Sequence, residues 1–170
     1  GPSRPTTVKT RYIAGVQQLL RTDEEDLDAM PQALLGQLSE ELSKEISSGA
    51  YGALVLSDYG KGLLRESLIN QAVAAATAAG VPVIVDPKGT DYGRYRGAGV
   101  LTPNRRELAE ATRLAVDTDT DVETAARALL KDYGVSAVVA TRGAQGMAVV
   151  TADDCAHLPA LAREVFDVSG

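Results

Sequence analysis

The amino-acid sequence predicts an α/β domain, a mainly parallel central sheet sandwiched by helices, on three observations. Short apolar, β-branched runs at residues 53–56, 83–85 and 136–140 have the length and composition of buried strands. Between them lie stretches whose apolar residues recur at helical spacing, joined by short connections, so the crossovers must be right-handed and the strands parallel. Each run also ends in a polar turn carrying glycine or proline, placed where α/β proteins keep their ligand contacts.

With 170 residues and 45% hydrophobic content, the chain suits one domain around one core. A net charge of −6 argues against a nucleic-acid partner, because neutralising phosphates calls for a basic face. No apolar run approaches the roughly 18 residues of a membrane-spanning helix, and the amino terminus lacks the order of a signal peptide. A cytoplasmic location and no membrane partner are expected. One cysteine, Cys155, excludes an internal disulfide, and with one histidine, His157, a zinc site is not expected.

In chain order, residues 1–3 carry no structural weight. Val8, Thr10, Tyr12 and Ala14 alternate with Lys9, Arg11 and Ile13, so residues 6–21 read as two strands joined near Gly15, followed by an acidic loop over residues 22–30. Pro31 opens a helix to Gly49 with Leu34, Leu35, Leu38, Leu42 and Ile46 on its apolar face. The strand at 53–56 ends in Ser57-Asp58-Tyr59-Gly60-Lys61-Gly62, and a helix over 65–79 closes at Gly80. Val83-Ile84-Val85 stops at Asp86-Pro87, a cationic loop with Lys88, Arg94 and Arg96 follows, and Gly99-Val100-Leu101 resumes the sheet. Asn104 caps a helix to about Arg113, and Val122, Ala125, Ala126, Leu129 and Leu130 face inward from a helix over 121–133. The last strand leads into Thr141-Arg142-Gly143-Ala144-Gln145-Gly146, and 147–150 with 156–158 read as a hairpin.

Four turns, 57–62, 86–89, 102–107 and 141–146, should converge on one rim of the sheet. Taken singly each is weak: Asp-Pro-Lys-Gly is ordinarily a turn, and Asn104 with Glu107 is by default a helix capping box. Together they hold the residue types that phosphoryl transfer requires. Carboxylates reach metal-bound waters, and glycine turns and lysines offset phosphate charge. Glu107 suits the first task; Lys61, Lys88 and the amides around Gly143 and Gly146 suit the second. Arg94 and Arg96 read either as phosphate holders or as an exposed loop.

These residues resemble a known family. Asn104-Arg105-Arg106-Glu107 is similar to the Asn-x-x-Glu motif of the ribokinase-like (PfkB) carbohydrate kinases. Thr141-Arg142-Gly143 with Gly146 resembles their nucleotide-side turn, and Asp167-Val168-Ser169-Gly170 the opening of their Asp-x-x-Gly-Ala-Gly-Asp signature. Residues 56–62, Asp86-Pro87-Lys88-Gly89-Thr90-Asp91 and Arg94-Tyr95-Arg96-Gly97-Ala98 resemble the heptose 7-phosphate kinase branch, the kinase half of the heptose kinase/adenylyltransferase proteins.

The resemblance implies a ribokinase-like three-layer sandwich, with residues 6–21 as the remnant of a small β lid. It implies ATP-dependent phosphorylation, with Mg²⁺, of D-glycero-D-manno-heptose 7-phosphate at the anomeric hydroxyl, toward the ADP-heptose of lipopolysaccharide. Asn104 and Glu107 would orient Mg²⁺ and phosphates, with Glu107 the metal-facing group, while Thr141, Arg142, Gly143 and Gly146 would lie near ATP. Asp58, Lys61, Asp86 and Lys88 would face the sugar phosphate or the transferred group. By the same resemblance 1–170 is a partial kinase domain cut at both ends, with the general-base aspartate beyond Gly170 and no catalytic residue within the chain. Loss of a general base typically lowers rate by about 10²–10⁴, so the 170 residues alone are expected to show no turnover. Alternatives are a kinase of another sugar or nucleoside in the family, or a non-catalytic nucleotide-binding or scaffold remnant. A homodimer through the lid strands, whose edges are unpaired, is a further expectation.

Overall fold

The computed structural model describes residues 6–26 and 30–161. The Asp167–Gly170 motif, the first five residues and part of the acidic stretch lie outside the described residues. Two sheets are present among the described residues. The smaller pairs β1 (Val8–Ala14) with β2 (Gln17–Glu24) antiparallel, turning at Gly15 with φ of 61°. The strand pair expected over 6–21 therefore runs three residues further, into the stretch read as an acidic loop. Its extension is held by a cross-strand pair: Asp23 sits opposite Lys9 and accepts from its Nζ at 2.9 Å and from Arg21 Nε at 2.9 Å. That pairing holds the Asp23 carboxyl below its ordinary value.

The larger sheet has six strands in the order β3 (Leu54–Ser57), β4 (Val83–Asp86), β5 (Val100–Leu101), β6 (Ala137–Thr141), β7 (Met147–Thr151) and β8 (Cys155–Leu158). The first four run parallel, and β7 and β8 return antiparallel as the expected hairpin. Among the described residues, four α-helices, α1 (Gln32–Ser47), α2 (Glu66–Ala78), α3 (Arg105–Thr112) and α4 (Asp119–Tyr133), accompany it.

Local chemistry sets the helix ends. Asn104 accepts from the Glu107 N–H and Glu107 from the Asn104 N–H, a full capping box; Thr118 and Asp121 repeat it at α4, which starts two residues before the expected boundary. The α4 terminus is Gly134 with φ of 69°, in the left-handed region that glycine adopts without penalty. Pro31 is the residue before α1 rather than its first, its carbonyl accepting from Leu34 and Leu35 N–H.

A sheet that advances strand by strand in one direction, with right-handed crossovers, puts all of its crossover helices on one face. The burial pattern shows this. Leu56, Val85, Leu101, Val138, Ala140, Ala148 and Val150 share a face and are buried against α2, α3 and α4, whereas Val55, on the other face, is 62% exposed and Ile84, Val100, Val139 and Val149 are half-buried. Among the described residues, helices cover one face of the mainly parallel sheet. α1 packs on α2 rather than on the strands, which is why Leu35 and Ile46 are buried but Leu34 and Leu38, expected inward, are exposed.

Candidate functional site

The β3–β6 ladder continues past the strand ends. Asp58 N–H donates to the Asp86 carbonyl at 2.9 Å, Thr102 N–H to the Val85 carbonyl at 2.8 Å, and Thr141 N–H to the Pro103 carbonyl at 3.0 Å, with Asn104 and Thr141 forming an isolated parallel bridge. These bonds bring the four polar turns level. At their carboxyl ends opens a cleft of about 550 Å³ lined by Ser57, Asp58, Asp86, Lys88, Asn104, Glu107 and Thr141, among others. Six residues singled out from the sequence therefore meet in one place, and Ser57, Tyr59 and Thr102 join them. Those three belong to the quoted turns, but a hydroxyl in a turn carries no signal of its own.

Glu107 occupies the centre of a small charged group. Its Oε2 accepts from the Asn104 N–H at 3.0 Å, and its Oε1 faces Lys88 Nζ at 3.2 Å. The Glu107 side chain is 12% exposed and that of Lys88 54%, so an exposed ammonium meets a carboxylate held by its own helix cap. Opposite, Ser57 Oγ donates to Asp86 Oδ2 at 3.2 Å.

Asp58 is different. It is 6% exposed, and its carboxylate accepts from the Gly60 N–H at 2.7 Å, from the Tyr95 hydroxyl at 2.7 Å and from Arg94 Nη2. The fully buried Tyr95 hydroxyl in turn accepts from the Lys88 N–H at 3.1 Å and from Arg94 Nη2 at 2.6 Å. Burial, then the bond to Asp58, pushes the Tyr95 phenol up. Arg94, which the sequence left between two readings, ties the 88–96 loop to the β3 tip, and Arg96 donates to the Asp132 carbonyl at 2.9 Å beside Tyr133. Beyond the Gly60 amide nothing local announces the Asp58 lock, because its side-chain partners lie 36 and 37 residues away.

Four expected site residues do not line the cleft. Lys61 lies in an adjoining cavity of about 270 Å³ with Lys9 of the ribbon and the preceding Thr7, and pairs with Glu25, which raises its pKa. Arg142, with 5% of its side chain exposed, donates to Asp119 Oδ1 at 2.6 Å, at the start of α4. Gly143 begins and Gly146 follows the short 3₁₀ turn after β6, with φ of 59° and 85°, and a Cβ on Gly146 would collide with the Leu158 carbonyl. Glycine is required there by contact as well as by conformation.

Comparison with known proteins adds to this geometry. A family model described as pfkB family carbohydrate kinase matches residues 3–170. The bifunctional protein HldE of Paramagnetospirillum magneticum is 52% identical over 170 residues, covering 99% of this chain and 34% of the relative. The chain thus spans about a third of the length of the curated relatives it matches. Among solved structures, phosphofructokinase-2 from Escherichia coli in complex with fructose-6-phosphate superposes with a TM-score of 0.67 at 24% identity, over 90% of this chain and 50% of that one. Arabidopsis thaliana ribokinase complexed with ribose and ATP gives a TM-score of 0.64 at 22% identity, over 89% and 48%.

Proposed function

Because the chain belongs to the pfkB family of carbohydrate kinases, we propose that its cleft binds the sugar phosphate and ATP of a kinase acting on D-glycero-D-manno-heptose 7-phosphate at the anomeric hydroxyl. The observation that carries this reading is the gathering of Asp86, Lys88, Asn104, Glu107 and Thr141 from three successive turns in one cleft. The heptose substrate rests on the 52% identity to a bifunctional HldE protein and on the sequence resemblance to the heptose kinase branch.

The donor set fits the expected ligands. Carboxylates, hydroxyls and a carboxamide are hard oxygen donors, which suit a magnesium ion that keeps several of its waters. Bound magnesium and ATP would supply the phosphoryl group and neutralise part of its charge. Glu107, fixed by the Asn104 cap, would orient that ion through a carboxylate that does not wander. Lys88 would leave Glu107 for a phosphate oxygen, an exchange its exposure permits. Asp86 and Ser57 would hold sugar hydroxyls at the β3–β4 tips. Asp58 would act at one remove, through the loop that carries Lys88. On this reading Lys61, Gly143 and Gly146 border the two ends of the cleft, toward the sugar and the nucleotide, and Arg142 positions the nucleotide turn from behind.

The test is a product-resolved kinase assay on the intact protein with ATP and magnesium, offering heptose 7-phosphate, fructose 6-phosphate and ribose in parallel. Preference for heptose 7-phosphate with a 1,7-bisphosphate product supports the proposal. Equal or better turnover of either other sugar would refute the substrate, and nucleotide binding with no turnover of any sugar would favour a binding module.

A further inference from the structure

At the opposite edge of the sheet from β3, Cys155 and His157 stand two residues apart on β8 and so on one face, since strand side chains alternate. Their cross-strand partners, Val150 and Ala148, are buried on the face that α4 covers. Glu123 reaches the same spot from α4. Cys155 Sγ lies 3.4 Å from His157 Nε2, and one ligand atom from each of the three residues lies within 4.8 Å of the others. A tetrahedral zinc ion, with Zn–S of about 2.3 Å and Zn–N of about 2.0–2.1 Å, holds its sulfur and nitrogen about 3.6 Å apart. Two donors therefore stand at coordination spacing, and a carboxylate oxygen of Glu123 lies within 4.8 Å of both.

His157 Nδ1 lies nearer to Arg142 Nη1, at 3.5 Å, than to Asp119 Oδ1, at 3.9 Å, so Nδ1 faces a donor and a metal ion at Nε2 requires the ring proton to leave that nitrogen. Asp119 is held by Arg142 at 2.6 Å, and Glu123 by Arg127, whose two contacts at 2.8 and 2.9 Å both fall on Oε1. The Arg142 charge is met at shorter range by Asp119.

We infer that Glu123, Cys155 and His157 form a site for one thiophilic divalent transition-metal ion of the zinc class, stapling β8 to α4. On binding, the thiol proton leaves to solvent as the metal–sulfur bond forms, and the fourth position goes to water. Counting cysteines and histidines along the chain misses such a site, because its third ligand is a glutamate 32 residues before the cysteine.

Cobalt(II) titration of the intact protein, followed by absorption and then competed with zinc(II), tests this. The expected result is one equivalent bound, tetrahedral d–d bands, a thiolate-to-cobalt charge-transfer band, and loss of both on adding zinc. Cys155→Ser should remove the charge-transfer band. His157→Gln should weaken binding. His157 is exposed, so its variant should keep the fold, checked by circular dichroism. A wild-type spectrum without the thiolate band, or a band unchanged in Cys155→Ser or His157→Gln, would overturn the site.

Discussion

Asp58 and Glu107 line the same cleft at the tips of the same sheet, and their surroundings differ in kind. Asp58 is buried, with donors from a backbone amide, a buried tyrosine and an arginine. Glu107 keeps one oxygen in a helix cap and turns the other to a lysine that is mostly in water. Removing a partner from a buried ionic group strands the other charge, whereas a water-exposed ion pair contributes little and is readily exchanged. The difference separates a carboxylate that holds a loop in place from one that is available to a ligand.

Four substitutions or titrations would break or sharpen that contrast. The largest effect is expected for Glu107→Gln. Glutamine preserves the capping box, so stability should change by no more than about 1 kcal/mol, while the kinase rate of the intact protein falls on the order of 10²-fold or more. Steady-state kinetics and thermal melting, run together, check both halves.

Asp58→Asn should show the reverse. It should lose about 2–3 kcal/mol, because Arg94 is left without its counter-charge beside the buried Tyr95, with Arg94 partly rescued by water. At roughly 2–4 °C per kcal/mol for a domain of this size, melting should fall several degrees. An Asp58→Asn protein that melts like wild type would put Asp58 in the same class as Glu107.

Lys88→Met comes next. Stability should move by less than about 1 kcal/mol, since the pair with Glu107 is exposed, while the dissociation constant for a sugar phosphate rises about tenfold, the value of one charged hydrogen bond. Isothermal titration at two salt concentrations separates the effects.

The smallest effect lies outside the cleft, at the start of α4. Bonding to Arg142 holds the Asp119 carboxyl below the ordinary carboxylate value, and the Thr118 hydroxyl and amide do the same for Asp121. Depressed carboxylates contribute stability that is fully present above the unfolded pKa of 3.8 and is lost as pH falls through the lower folded values. Denaturant titrations below pH 4 should show this fall, and Asp121→Asn should flatten it.

How far the chain could be read in advance follows the same division. The strands at 54–57, 83–86 and 137–141 and the caps at Asn104 and Thr118 are written in neighbouring residues, so periodicity and turn chemistry locate them. Convergence of the turns follows from parallel topology, which is why six of the ten residues expected at a site meet in one cleft. The Asp58 lock, the Lys9 to Asp23 pair that lengthens the ribbon, and the grouping of Glu123 with Cys155 and His157 depend on residues 14 to 37 positions apart. No local pattern encodes such contacts. The one-sided helical layer is a topological consequence, visible only once the strand order is known.

Backbone amide chemical-shift mapping tests the central proposal most directly, with magnesium, ATP and heptose 7-phosphate added in turn to isotope-labelled protein. The expected perturbations cluster at 57–60, 86–89, 102–107 and 141–146, with Lys88 and Glu107 among the largest and the fully buried Tyr95 among the smallest. Shifts confined to the ribbon or to the α1–α2 surface, with the four turns silent at saturating ligand, would contradict it.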